Sequence, residues 1–441
     1  MEIIKQELLP EECVKEQLEY TEKGLVRQTI SNCIIAIRED PMLKDAVRFN
    51  ELSERVDIVK DVGWPRDTVT LTDMDRYNIM LRMEQAYGLV SDKKIDMAIN
   101  IVANGNRYHP IRDILCSLKW DGTERVKHAL HHFLGAEENE MSKEALKLFM
   151  LGAVSRVFNP GCKFEIMLCL VGKQQGVGKS TFLRYLAIND DWFTDDIKHL
   201  DDEKIYQKFQ GHWIIELPEM LAAINAKNVE EIKSFLSRQK DSYRLPYDRF
   251  SKDRPRQCVF GGTSNKKQFL PMDKSGNRRL IPVEVNIDNA EVHILDEEQK
   301  SREYILQMWA EIMEIYRSRQ FKLVLPKHLE KQLSEYQIEF TPEDLDETAI
   351  INFLNETNEE YVCTMMIFYE ALGHSAYERP PKWQSTAVNE VIGKIGGWES
   401  VSSHRFEKYG IQRAWRNVNK KQFGNDGFIK LTDQMEIPFL T

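Results

Sequence analysis

No CxxC pair occurs among the seven cysteines (Cys13, Cys33, Cys116, Cys162, Cys169, Cys258 and Cys363), which form an odd, scattered set. That excludes a disulfide framework and fits reduced thiols in a cytosolic chain. The closest pair, Cys162 and Cys169, has no histidine at ligand spacing, and the ten histidines contain no HExxH. A metal site built only from side chains is not expected; His131 and His132 read as a helix surface. Long apolar runs are missing as well. Ile166 to Val171 and every other such run falls far short of the ~20 residues that cross a bilayer. The N-terminus MEIIKQELLPEECVKEQ lacks an apolar signal core, so a cytoplasmic protein without a membrane span is expected. Net positive charge is absent too: 60 Lys and Arg against 70 Asp and Glu leave −10, which argues against a protein that coats nucleic acid with its whole surface.

What is present describes a large globular chain. Its 441 residues, 42% hydrophobic and 29% charged, suffice for two to four domains at roughly 150 residues each. Two basic islands interrupt the acidic background, each with a local balance of +5. The first spans 233–256 with Lys233, Arg238, Lys240, Arg244, Lys252, Arg254 and Arg256 as well as Arg249, and the second spans 405–421 with Arg413 and Arg416. Such islands suggest focused polyanion contacts.

The chain reads as an acidic arm at 1–25, a helical domain at 26–160, an α/β core with a parallel sheet at 161–290, a helical extension at 291–340 and a C-terminal domain at 341–441. The core is expected because EIMLCLVG, GHWIIEL and QCVFGGTSN are apolar runs suited to strands buried on both faces, with helical patterns between them. In the C-terminal part, three short helical patterns precede the basic segment HRFEKYGIQRAWRN, an arrangement similar to a winged helix.

The segment LCLVGKQQGVGKSTFLRYLA carries the strongest chemical signal. A buried strand enters a Gly-rich loop that ends in Gly178, Lys179, Ser180 and Thr181 and opens a helix. Loops of this kind aim backbone N–H groups and a helix N-terminus at phosphates, with the lysine on the terminal phosphates and the serine hydroxyl on Mg²⁺. ATP with Mg²⁺ is the expected ligand of Gly172, Gly176, Val177, Gly178, Lys179, Ser180 and Thr181. The loop is one residue longer than the common GxxxxGK[ST], with Lys173 where the first glycine usually stands. In GHWIIELPE, Glu216 ends a strand and Glu219 follows three residues later; one is expected to hold the Mg²⁺ shell and one to polarise water, with the base left open between them. The strand ending in Thr263, Ser264 and Asn265 places an amide where it can sense a γ-phosphate. Arg278 or Arg279, thirteen residues further on, is a candidate to stabilise the γ-phosphate of a neighbouring subunit.

This order resembles the superfamily 3 helicases of the AAA+ ATPases. More closely, WDGTERV, RVFNPGCKFE, GKQQGVGKSTF, WIIELPEM, IKSFLSRQKDSYRLPYDR, VFGGTSN and SGNRRLIPVEV resemble the virulence-associated protein E family of phages and genomic islands, from about residue 30 to 290 and weakly to about 415. The resemblance implies an ATP-driven DNA helicase that assembles as a ring, expected as a hexamer, and replicates mobile elements in a bacterial cytoplasm. A primase or other replication proteins are the implied partners. The sequence before residue 160 is too short to hold a primase beside its helical region, so primer synthesis is not expected. In superfamily 3 the interval between the acid strand and the Asn strand carries a hairpin that grips one DNA strand, which puts Lys233, Arg238, Lys240, Arg244 and Arg249 near DNA or a subunit joint, with Tyr243 and Tyr247 as base-stacking candidates. Arg413 and Arg416 are expected to meet duplex DNA. The alternatives are an origin-binding initiator without strand separation and a nucleotide-switched partner-binding protein.

Overall fold

The structure, a computed structural model, describes residues 10–197, 205–218, 229–244, 250–271, 274–342, 345–375 and 377–418. Its contacts divide the chain into one unit ending at Thr341 and a second beginning at Pro342. In the first unit, the Thr29 side chain caps helix Ile30–Glu39, and Thr72 and Asp75 form a reciprocal capping box on helix Asp73–Tyr87. Together with helix Asp92–Gly105 they bury Ile37, Ile79, Met83, Ile95 and Ile99 in a cluster with Val47 and Ile58 of a small sheet. That sheet holds β1 (Val47–Asn50), β2 (Arg55–Ile58) and β3 (Arg107–Tyr108) in the order β2-β1-β3.

Two expectations change here. Val14 and Leu18 enter the same apolar cluster and Glu11 pairs with Arg82 at 2.5 Å, so the segment read as an acidic arm is anchored to the helical cluster through helix Pro10–Lys15 and Leu18. The stretch 26–160 is also divided rather than forming one helical domain. Up to Tyr108 it contributes to the cluster just described, whereas helices Pro110–Ser117, Ala129–Leu134 and Glu140–Phe158 bury Leu115, Phe133 and Phe149 in the cluster of the central sheet. Strands of two to four residues are too short to show a period in the sequence.

In chain order come β4 (Met167–Val171), β5 (Phe193–Thr194), β6 (Ile214–Leu217), the hairpin strands β7 (Lys240–Tyr243) and β8 (Lys252–Pro255), β9 (Val259–Ser264) and β10 (Leu280–Glu284). All except the hairpin join one parallel sheet in the order β10-β4-β9-β6-β5. This is the expected α/β core. Its strands are apolar on both faces because both are covered. Leu168, Leu170, Ile214, Val259 and Ile281 lie in the cluster of Phe149, Phe182 and Trp309, while Met167, Cys169, Ile215, Phe260 and Leu280 lie in that of Phe209, Phe235 and Phe340. The register sets Val171 beside Ser264 and Leu217 beside Gly262. The C-terminal ends of β4, β9 and β6 therefore open on one edge, where ligands of open α/β sheets bind.

The second unit orders helix Leu345–Glu356, β11 (Tyr361–Cys363), a short helical segment from Thr364 to Ala371, helix Lys382–Ile395, β12 (Trp398–Phe406) and β13 (Gly410–Asn417). The antiparallel sheet has the order β11-β13-β12. Ile350, Leu354, Val362, Ile367, Val388, Ile392 and Ala414 form its core. No helix among the described residues is long and apolar enough to cross a membrane.

Candidate functional site

Glycines shape the loop that leaves β4. Gly176 and Gly178 adopt φ of 74° and 86°, which L side chains disfavour. A Cβ on Gly172 would lie 2.6 Å from the Val285 carbonyl oxygen, and one on Gly178 would lie 2.6 Å from Ile294 Cγ2. Small residues are thus required by the loop's own path and by what lies against it. Helix Lys179–Leu186 starts directly after Gly178. Thr181 lies in its first turn, Val177 is buried beside the loop and Lys173 is exposed.

Lys179 is only 7% exposed. Its ammonium donates to the carbonyl oxygens of Gly172 at 2.8 Å and Gln174 at 3.1 Å and to Asn265 Oδ1 at 2.9 Å. One residue further, Ser180 Oγ donates to Glu216 Oε1 at 2.7 Å, and Thr263 Oγ1 donates to the same oxygen at 2.5 Å. Glu216 is 1% exposed, and among the described residues its Oε2 has no hydrogen-bond partner. Burial pushes its carboxyl above the usual range, against the lowering effect of the Thr263 and Ser180 hydroxyls. A Cβ on Gly261 would sit 2.8 Å from Leu183 Cδ1, so the bare backbone of β9 gives room to the helix that carries Ser180.

The sheet edge therefore brings together four residues singled out in the sequence: Lys179, Ser180, Glu216 and Asn265. Thr263 is the member that sequence reasoning missed, although its hydroxyl at a buried strand end is a signal for a nearby acid. The oxygen donors, a hydroxyl and a buried carboxylate, are of the kind that could hold a hard cation such as Mg²⁺. Among the described residues no group of three or more His, Cys, Asp or Glu could hold a metal alone. Glu219 lies outside the described residues.

The two arginines differ. Arg279 has a side chain 14% exposed and donates through Nε to Glu165 at 2.9 Å and Ser237 at 3.2 Å, whereas Arg278 is 73% exposed and 3.7 Å from Glu165. Both precede β10, whose first residue pairs with Met167 at the start of β4. Five residues of strand, about 16 Å, separate them from the loop beyond Val171.

The first basic island forms a hairpin between the acid strand and the Asn strand, with β7 antiparallel to β8. Much of its charge is spent internally. Arg256 is buried on Asp241 at 2.7 Å, Arg254 and Lys252 pair with Glu54 at 2.9 and 2.8 Å, and Lys240 pairs with Asp253. Tyr243 lies under the Arg254 guanidinium, 4.4 Å from it. Arg238 contacts the Tyr206 hydroxyl, and Lys233 is half-buried on helix Val229–Ser237. Arg244 and Phe250 remain outward at the hairpin's far end, Phe250 with 81% exposure. Sequence reading passed over Phe250, the described hairpin aromatic that faces water. Arg249 and Tyr247 lie outside the described residues. In the second unit Arg413 is exposed on β13, and Arg416 Nε stands 3.9 Å from Glu360.

A parallel α/β sheet with a glycine-shaped loop, a buried lysine and a hydroxyl–carboxylate pair at one edge defines the class of protein. The virulence-associated protein E-like domain model matches residues 115–342, and the chain belongs to that family. No curated protein matches the chain. Among solved structures it is similar to the A form apo structure of the NrS-1 C-terminal region, at 15% identity over 84% of this chain and 96% of that one with a TM-score of 0.45. A second A form apo structure of that region gives 14%, 83%, 95% and 0.47. An apo structure of the same region gives 16%, 85%, 96% and 0.45.

Proposed function

We propose that this protein is an ATP-dependent DNA helicase or translocase of superfamily 3 type that serves replication of a phage, prophage or genomic island. The observation that carries this reading is the convergence of Lys179, Asn265, Ser180 and Glu216 at the ends of three adjacent parallel strands. The loop N–H groups and Lys179 would receive the phosphates of ATP. Ser180 and Glu216 would hold Mg²⁺, which when bound neutralises phosphate charge. Asn265, now on the ammonium of Lys179, stands where a terminal phosphate would be sensed. The hairpin, which leads into the start of β9 at the opposite end of the sheet, supplies Arg244 and Phe250 for single-stranded DNA, one for phosphate and one for stacking. The helix and strand order of the second unit supports a winged-helix reading with Arg413 on the wing, which favours a role on duplex DNA for that unit. A phage-type replication protein is what membership of the family supports most broadly.

ATP hydrolysis measured with and without single-stranded DNA tests the reading, with strand displacement on a forked duplex as the second assay. Stimulation by the single strand is expected; turnover indifferent to DNA would favour a nucleotide-switched partner protein, and stimulation without displacement an origin-binding initiator. Neutralising Arg244 and replacing Phe250 with Ala should both weaken stimulation, but only the arginine change should flatten the salt dependence of binding, by about one unit of slope. Glu216→Gln should lose hydrolysis while retaining nucleotide. If Glu219→Gln alone does so, the acid and base roles are exchanged.

A further inference from the structure

We infer that the turn between β1 and β2 is a brace for the basic hairpin, and that Glu54 is the positioning residue that couples the hairpin to the strands carrying Glu216 and Asn265. This deepens the proposed function and rests on it for the nucleic-acid half of the argument. Glu54 adopts φ of 51°, a left-handed conformation that is disfavoured for a residue with a Cβ. Such a residue persists where its surroundings over-determine it. The surroundings here are the hairpin. The Glu54 carboxylate takes Lys252 Nζ at 2.8 Å and Arg254 Nε at 2.9 Å, so one acid from outside the hairpin holds both cations of β8. Arg254 passes that hold to β7 by donating to the Tyr243 carbonyl at 2.7 Å and lying over its ring.

The same turn touches the roots of two strands of the site. The Leu52 carbonyl accepts from Gly211 N at 3.3 Å and the Ser53 carbonyl accepts from the Gln210 side chain, just ahead of β6. The Glu51 carbonyl accepts from Gln257 Nε2 at 2.9 Å, just ahead of β9. A cavity of about 310 Å³ lined by Glu54, Tyr206, Tyr243 and Arg254 leaves room for these side chains to shift. Lys252, 58% exposed, is the cation that a DNA phosphate can draw away from Glu54. The hairpin would then change its hold on the turn, and the turn its hold on the strands that end in Glu216 and Asn265.

The test uses the full chain with Glu54→Gly and Glu54→Gln. Glycine removes the carboxylate while relieving the left-handed backbone, so loss of fold does not confound it. Hydrogen exchange is read by peptide across 240–255 and across β4, and ATP turnover and oligothymidylate binding are measured over a salt series. Both variants should exchange faster in 240–255 with β4 unchanged and keep basal turnover. Each should bind the oligonucleotide with a salt slope steeper by about one as Lys252 is released, and lose DNA stimulation by about fivefold or more. Faster exchange of the hairpin in a protein whose wild type ignores DNA would support the brace and sink the nucleic-acid reading. Wild-type exchange and stimulation in Glu54→Gly would overturn the brace, as would faster exchange spread equally over β4.

Discussion

Lys179→Ala is expected to lower ATP turnover by about 100- to 1,000-fold, the range for removing one preorganised donor to developing charge, while the chain still folds. The ammonium is buried within a ring of acceptors, the carbonyls of Gly172 and Gln174 and the Asn265 amide oxygen. Its three donors are held at the mouth of the loop by those acceptors, and a terminal phosphate would take the place of one or more of them. Truncation leaves those acceptors without their donor, a cost of about 1–3 kcal/mol, small beside a core that holds β4 and β9 on both faces. Lys179→Arg should fail as well, since a planar fork cannot replace a compact ammonium with three donors in the same space. Phosphate release under saturating ATP and Mg²⁺, with circular dichroism on the same samples, makes the comparison. Turnover within a few-fold of wild type in Lys179→Ala would remove the loop from the reaction.

How much of this was legible beforehand depends on how each element is buried. β4, β6 and β9 could be read because strands covered on both faces are continuous apolar runs bounded by Gly or polar residues. The loop could be read because its glycines, lysine and serine are adjacent in sequence. Their order in the sheet could not, because hydropathy carries no information on which buried strand lies beside which. The small β2-β1-β3 sheet was hidden by strands too short for a period. Charge was the least transparent quantity. Arg254 and Arg256 count toward a basic island in any window, yet one is held by Glu54, two hundred residues away, and the other by Asp241, brought to it only by the hairpin register. The same folding that hides those cations leaves Arg244 and Phe250 outward. A net charge over a window counts residues, whereas a binding surface is decided by which of them have lost their partners.

Arg278→Ala is expected to bind ATP but lose roughly 1,000-fold in turnover, the low end for a trans-acting arginine, whereas Arg279→Ala should mainly loosen the junction that its side chain ties to Glu165 and Ser237. The distinction follows from exposure and place. Arg278 projects into solvent at the end of the sheet opposite the Gly-rich loop, about 16 Å of strand away, so its own loop is out of reach and a role on a γ-phosphate would have to be on that of a neighbouring copy. In a ring of copies the defect should be complemented. Mixing Arg278→Ala with Lys179→Ala creates junctions where an intact loop meets an intact arginine, and at equal proportions roughly one junction in four is of that kind. Turnover in the mixture should then exceed that of either parent by far more than their average, with mixed assembly verified by differentially tagged subunits. A mixture that stays at the parental level at every ratio would place Arg278 outside the reaction and leave the junction without a shared active site.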